Sequence, residues 1–251
     1  MTDSGMLDMK SVEEMADYMD ELGLRFEYAC KQERDPLACH SFSQWLETYK
    51  RSNKDCAEVL RENCFDLKYG DSCFKYGYLR LFGKNEIPRD PLAAFQAFEF
   101  GCKSVDHSKC CQAAGRLVAE GIASHAPSLN TAAPLFERGC KLGLAESCFH
   151  LGGASLTLAM RKDQQVVNPD SSATSNAIPQ SAAELRTKAL EAWLAACKLG
   201  HEFSCRNVSR MYKLGDGISA NQAKAKEFLD LAEKIAAQKN MNPADGTPNP
   251  T

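Results

Sequence analysis

Twelve cysteines stand in 251 residues, and ten of them fall into five pairs at nearly one spacing: Cys30/Cys39, Cys64/Cys73, Cys102/Cys111, Cys140/Cys148 and Cys197/Cys205. Eight residues separate the partners in the first three pairs and seven in the last two. Zinc fits this spacing poorly, because structural zinc sites usually place ligand cysteines two to four residues apart. A disulfide from the end of one helix to the start of its antiparallel partner needs Cα atoms about 4.4–6.8 Å apart, which a tight hairpin supplies. The remaining reading is a set of reduced, small core residues where two helices cross closely. Alanine would fill that role without a reactive thiol, so the repeated context favours disulfides and with them an oxidising compartment.

Five bridges would leave Cys56 and Cys110 as thiols, and these are the redox candidates. Cys110 adjoins Cys111, and a thiolate beside a disulfide is placed for exchange. Consecutive helical residues point about 100° apart, however, so Cys110 is expected to face away from the Cys102/Cys111 bridge and to serve packing. No metalloprotease, phosphate-loop, dinucleotide or serine-elbow motif is present, so no catalytic residue and no metal ligand is assigned. Asn207-Val208-Ser209 has the form of a glycosylation sequon but falls in an expected helix beside Cys205.

The elements that must position these cysteines follow from their recurrence. The second cysteines stand at 39, 73, 111, 148 and 205, separations of 34, 38, 37 and 57 residues, and a fixed period near 34 to 38 marks a solenoid of helical hairpins. The expected fold is all-α: a right-handed α-solenoid of five disulfide-bridged hairpins plus a C-terminal capping helix. The units fall at about 11–50, 53–83, 90–121, 130–160 and 181–217, with the capping helix at 219–238. Ser11 with Glu14, Ser181 with Glu184 and Ser219 with Gln222 read as capping boxes, Asp90-Pro91 as a cap followed by proline, and Thr131 as the cap of the fourth unit, with Pro134 in its first turn. Residues 161–180 hold Pro169, Pro179 and a polar run, and read as a flexible insert. Residues 1–10 are expected to be a flexible terminus and 239–251 a disordered tail.

Net charge is −3, and the basic residues form no stripe, which sets nucleic acid and anionic membranes aside as partners. The longest apolar candidate, Leu151 to Met160, is too short and too rich in glycine and hydroxyl residues to span a membrane. Within the first 30 residues eight acidic side chains face only Lys10 and Arg25, unlike either a secretory leader or an Arg-rich matrix presequence. A disulfide protein with neither leader is expected in the mitochondrial intermembrane space.

Residues 192–225 resemble the Sel-1-like repeat, a relative of the tetratricopeptide repeat. The likeness rests on the turn Leu199-Gly200-His201, on Met211-Tyr212, on Leu214-Gly215-Asp216-Gly217, and on Cys197 and Cys205 at two small-residue positions. Weaker copies extend it over most of residues 25–238. Among cysteine-bridged members the chain is most similar to a family of metazoan assembly factors for cytochrome c oxidase, on its acidic start, its five pairs and the run YACKQERDPLAC at 28–39. That resemblance implies a non-enzymatic intermembrane-space scaffold with protein clients, respiratory-complex assembly factors or copper chaperones among them, imported through the mitochondrial disulfide relay. It also implies two alternatives: a thiol-disulfide oxidoreductase acting on copper chaperones, and a haem-binding factor. A secreted or cytosolic Sel-1-like adaptor is a third reading. Of the histidines, His40, His107, His125, His150 and His201, none forms a haem-attachment motif; His201 belongs to the repeat's turn, and His107 and His125 fall in expected loops. The sequence therefore assigns no cofactor.

Overall fold

Aspartate followed by proline starts two of the helices, for the reason the sequence suggests. Asp35 accepts a hydrogen bond from the Leu37 amide at 3.0 Å and Asp90 one from the Ala93 amide at 3.0 Å, while Pro36 and Pro91 occupy a first-turn position that needs no N–H. The computed structural model describes residues 12–122, 126–167 and 180–239. Among these residues there are eleven α-helices, and the one strand-like feature is an isolated bridge between Lys84 and Ile87. The chain divides into two compact units, Met1–Val105 and Asp106–Thr251.

The first unit holds α1 (Val12–Lys31), α2 (Pro36–Thr48), α3 (Asn53–Phe65), α4 (Gly70–Phe82) and α5 (Pro91–Lys103). Its core joins Cys30, Cys39, Phe42, Leu46, Cys56, Leu60, Tyr76 and Ala97. Trp45 lies on Gly23 of α1 and donates its indole N–H to the Met19 carbonyl at 2.7 Å, which fixes α1 against α2. Glu47 bridges Lys75 at 2.6 Å and Lys84 at 2.7 Å; burial works against its charge, but these two hydrogen bonds hold its carboxyl below the ordinary value.

The second unit holds α6 (Ser108–Glu120), α7 (Leu129–Lys141), α8 (Ala145–Val167), α9 (Ala182–Lys198), α10 (Glu202–Leu214) and α11 (Gln222–Lys239). The Ser181/Glu184 capping box forms in full: each side chain bonds the other's backbone N–H, at 3.2 and 2.6 Å. Two expected caps move. α7 is capped by Ser128, whose Oγ accepts from the Thr131 amide at 3.3 Å, so Thr131 is inside the helix and Pro134 lies in its interior. α11 is capped by Asn221, whose Oδ1 accepts from the Lys224 amide at 3.0 Å, so Ser219 precedes the helix rather than capping it. In both cases a nearer side chain offered the same bond at the true start. Ser11 lies outside the described residues.

Residues 161–167, expected in the insert, continue α8 instead. Just before the extension Leu158 and Ala159 pack against Leu185, with Leu129 and Ala182 at the edge, and Arg186 holds the extension through Asp163 at 2.5 Å while its Nε donates to Asp216 at 2.6 Å. Residues 168–179, 1–11 and 240–251 lie outside the described set. α11 covers the fifth hairpin: Ala232, Phe228 and Ile235 pack on Cys197 and Cys205, Tyr212 stacks on Phe228 at 5.8 Å, and Ser209 donates to the Ala225 carbonyl at 2.6 Å. No helix among the described residues is long and apolar enough to cross a membrane.

Candidate functional site

The repetition of the cysteine pairs demands a common explanation, and the hairpins supply it. Within each unit the first cysteine of a pair sits in the last turn of one helix and the second in the first turn of the next, so a reversal of four residues (32–35, 66–69) or three (142–144, 199–201) brings their Cα atoms together. The Cα separations are 4.4 Å for Cys30–Cys39, 4.5 Å for Cys64–Cys73, 4.5 Å for Cys140–Cys148 and 4.8 Å for Cys197–Cys205, and each pair is disulfide-bonded. Cys102 in the first unit is disulfide-bonded, as is Cys111 in the second. Cys56 and Cys110 are buried and carry no disulfide.

The repeat register explains both unbridged thiols. The residue before each second cysteine is Ala38, Ser72, Cys110, Ser147 or Ser204, all of them buried. Three of these positions carry serine and one alanine, so Cys110 stands where three of the other four hairpins place a small hydroxyl. The parallel extends to its partner: Cys110 Sγ lies 3.2 Å from His107 Nδ1, as Ser204 Oγ lies 2.9 Å from His201 Nδ1. Eight residues before the first cysteine of the second to fifth pairs stand Cys56, Ala94, Ala132 and Ala189, every one of them 0% exposed, while the first pair has the partly exposed Leu22 there. Cys56 therefore occupies an alanine position. Burial pushes its thiol up to about 11, so at neutral pH it carries its proton and is a poor nucleophile.

A buried polar chain accompanies the second bridge. Asn63 Nδ2 donates to the Pro36 carbonyl and to Ser72 Oγ, each at 2.8 Å, and Ser72 Oγ lies 2.9 Å from His40 Nδ1. Burial first, and then Lys75, hold His40 below the ordinary imidazole value against the opposing charge of Asp71. In the fourth unit the same position is tighter still: a Cβ on Gly139 would meet Ser147 Oγ at 2.4 Å, and Ser147 donates to Gln112 at 2.9 Å.

A second recurring position carries the packing between successive hairpins, and the sequence reading missed it. Four residues after the second cysteine stand Ser43, Gly77, Gly115, Gly152 and Ser209. A Cβ at Gly77 would lie 2.4 Å from Phe98, at Gly115 2.6 Å from Phe136, and at Gly152 2.4 Å from Trp193. Those rings come from the position four residues before the first cysteine of the next hairpin. Aligning the pairs by cysteine shows both columns, small on one side and large on the other.

His150 packs between Phe136 at 5.3 Å and Phe149 at 5.4 Å, and Phe149 meets His201 at 4.6 Å. Burial, then Arg116 and His201, lower the His150 value. His125 lies outside the described residues. An axial haem ligand needs a ring nitrogen facing an apolar slot. Nδ1 of His40 and of His201 lies at a serine hydroxyl, and His150 packs between Phe136 and Phe149. No group of three metal-ligating side chains occurs among the described residues.

The fold and the bridged hairpins together define a Sel1-repeat α-solenoid. Two solved structures share the fold: a Sel1 repeat protein from Oxalobacter formigenes, at TM-score 0.60 and 13% identity over 90% of this chain and 88% of that one, and a protective antigen of uropathogenic Escherichia coli with an SLR fold, at TM-score 0.61 and 13% identity over 91% of this chain and 48% of that one. No protein-family model matches the chain. Curated relatives are more specific. Cytochrome c oxidase assembly factor 7 of Xenopus tropicalis is 31% identical over 240 residues, 92% of this chain and 93% of the relative; that of Danio rerio is 31% identical over 94% and 95%, and that of Homo sapiens 29% identical over 96% and 98%. The chain belongs to the cytochrome c oxidase assembly factor 7 family.

Proposed function

We propose that the protein assists assembly of cytochrome c oxidase in mitochondria, acting in the intermembrane space as a disulfide-stapled scaffold that holds client proteins rather than as an enzyme. The observation that carries this reading is the 31% identity with an assembly factor over 93% of that factor's length. The chemistry of the chain is consistent with a scaffold: its bonded cysteines lie in helical hairpins, and both spare thiols are buried in positions that other repeats give to serine or alanine. The proposed framework comprises all five pairs, Cys102–Cys111 included. Exchange chemistry through Cys56 is disfavoured by a thiol held near 11. Import by an oxidative relay would follow if the reduced chain cannot fold, since bridging would then trap it where thiols are oxidised.

The test is a cell line lacking the protein, re-expressing either the wild type or a variant with Cys56→Ala and Cys110→Ser. Native electrophoresis should show assembled oxidase lost in the null and restored by both forms, and protease protection should place the protein outside the matrix and inside the outer membrane. Unchanged oxidase in the null would sink the assembly role. Rescue by the wild type alone would replace the scaffold with a thiol-dependent activity.

A further inference from the structure

One helix face in the first unit exposes apolar side chains in an acidic surround. Gly23, under the Trp45 ring, and Cys30, in its bridge, mark the side of α1 that packs on α2. Roughly 120° round the helix, counted at 100° per residue, stand Leu24 and Tyr28, at 66% and 62% exposure. They are four residues apart and so adjacent on the helix surface. Asp17 and Glu13, seven and eleven residues before Leu24, lie on the same stripe and are exposed too. The end helix of a repeat array is normally polar on its outer side, and exposed apolar side chains rimmed by charge mark an interaction surface.

Charge decides what this face accepts. α1 carries six carboxylates against Arg25 and Lys31, in a chain whose net charge is −3. Both of those cations are engaged within the helix, Arg25 on Glu21 and Lys31 on Glu27, each at 2.6 Å, and Lys50 takes Asp20 at 2.7 Å. Among the described residues no cation pairs with Glu13 or Asp17. The first eleven residues of the chain set Asp3 and Asp8 against Lys10, and the basic residues of the sequence form no stripe, so neither that segment nor a second copy matches the face in charge. We infer that the outer face of α1 docks a cationic amphipathic helix of a partner protein. The partner's apolar side chains lie on Leu24 and Tyr28, and its Lys or Arg side chains on Glu13 and Asp17. This names a client chemistry for the scaffold proposed above and rests on that reading, while binding of a defined peptide tests it separately from oxidase assembly.

Fluorescence anisotropy on the full-length, oxidised protein uses a labelled designed helix of about 18 residues, leucine on one face and arginine on the other, and a control in which every arginine is glutamate. The arginine peptide is expected to bind at least about tenfold more tightly than the control. Its affinity should fall several-fold as salt rises from about 0.01 to 0.15 M, over which the Debye length shrinks from about 30 to 8 Å. Glu13→Gln with Asp17→Asn should remove most of that salt dependence, whereas Glu227→Gln with Asp230→Asn on α11 should leave it intact. Leu24→Gln with Tyr28→Gln should weaken binding at least about tenfold while the melting temperature stays within a few degrees, because both side chains already face water. The inference is overturned if the glutamate peptide binds as well, if the α11 variant loses as much as the α1 variant, or if the Leu24/Tyr28 variant binds as the wild type does. A Leu24/Tyr28 variant that melts well below the wild type, or that dissociates a dimer, would also overturn it by giving the face to the chain itself or to a second copy.

Discussion

Gly152 and Gly153 are neighbours in α8 with opposite demands. A Cβ at Gly152 would lie 2.4 Å from Trp193 Nε1, an indole held by its bond to the Phe149 carbonyl at 3.1 Å, whereas a Cβ at Gly153 meets nothing within 4 Å. Gly152→Ala should therefore cost roughly 1–3 kcal/mol by overpacking. Gly153→Ala should stabilise by about 0.5–1 kcal/mol, the usual penalty of glycine in a helix interior. Urea unfolding measures both, and shifts of the same sign would remove the close inter-hairpin contact as the explanation. The spare thiols offer a second check at this scale. Because Cys56 and Cys110 stand in alanine and serine positions, the double change Cys56→Ala with Cys110→Ser should leave the melting temperature within a few degrees, and iodoacetamide should modify neither thiol in the folded wild type. Rapid labelling of either would contradict its burial. The cysteine pairs were legible in the sequence because an unusual residue type recurs at a fixed spacing. The glycine column was not, because glycine also marks the turns at Gly83, Gly121 and Gly215, and only the spatial partner tells a contact glycine from a turn glycine.

Helix starts show the same limit one level up. Ser181 with Glu184 could be recognised because both halves of the box are present, and no nearer competitor exists. Thr131 and Ser219 failed because Ser128 and Asn221 offer equivalent oxygens within three residues, and the choice depends on where the preceding chain leaves the hairpin. The helical part of the supposed insert was hidden by its polarity: Asp163 looks like loop chemistry until Arg186 and Asp216 are placed beside it. Hairpin packing also sets a pH dependence. Folding depresses His40 and His150, so above the unfolded imidazole value both states are neutral and stability is complete. As pH falls through about 6.5 the unfolded chain takes up protons that the folded chain refuses, and stability declines until the folded values are passed. Glu47 and Glu137 are depressed too, by hydrogen bonds from Lys75 and Lys84 and from Lys188, and add a second loss below the ordinary carboxylate value. The melting temperature should fall in two stages between pH 7 and pH 3. His150→Phe, which keeps the ring stack, should shrink the first stage and leave the second; an unaltered first stage would show that His150 is not responsible.

Each bridge closes a short loop, with partners eight or nine residues apart in sequence, for which the chain-entropy model gives roughly 2–3 kcal/mol. One such contribution is modest, but these four bridges together approach the whole net stability usual for a domain, about 5–15 kcal/mol. In a repeat array each hairpin is supported chiefly by its neighbours, so losing one bridge weakens the interfaces on either side of it and losing all removes local support everywhere. Replacing Cys140 and Cys148 by alanine should therefore lower the melting temperature by roughly 5–10 °C while the protein still unfolds cooperatively. Full reduction should instead leave a chain with little helical signal at 37 °C, because no unit retains a bridged neighbour. Circular dichroism with and without a phosphine reductant distinguishes these outcomes. If the reduced protein melts where the oxidised one does, the apolar contacts of the glycine and aromatic columns carry the fold unaided, and oxidation ceases to be the event that commits the chain to its folded state.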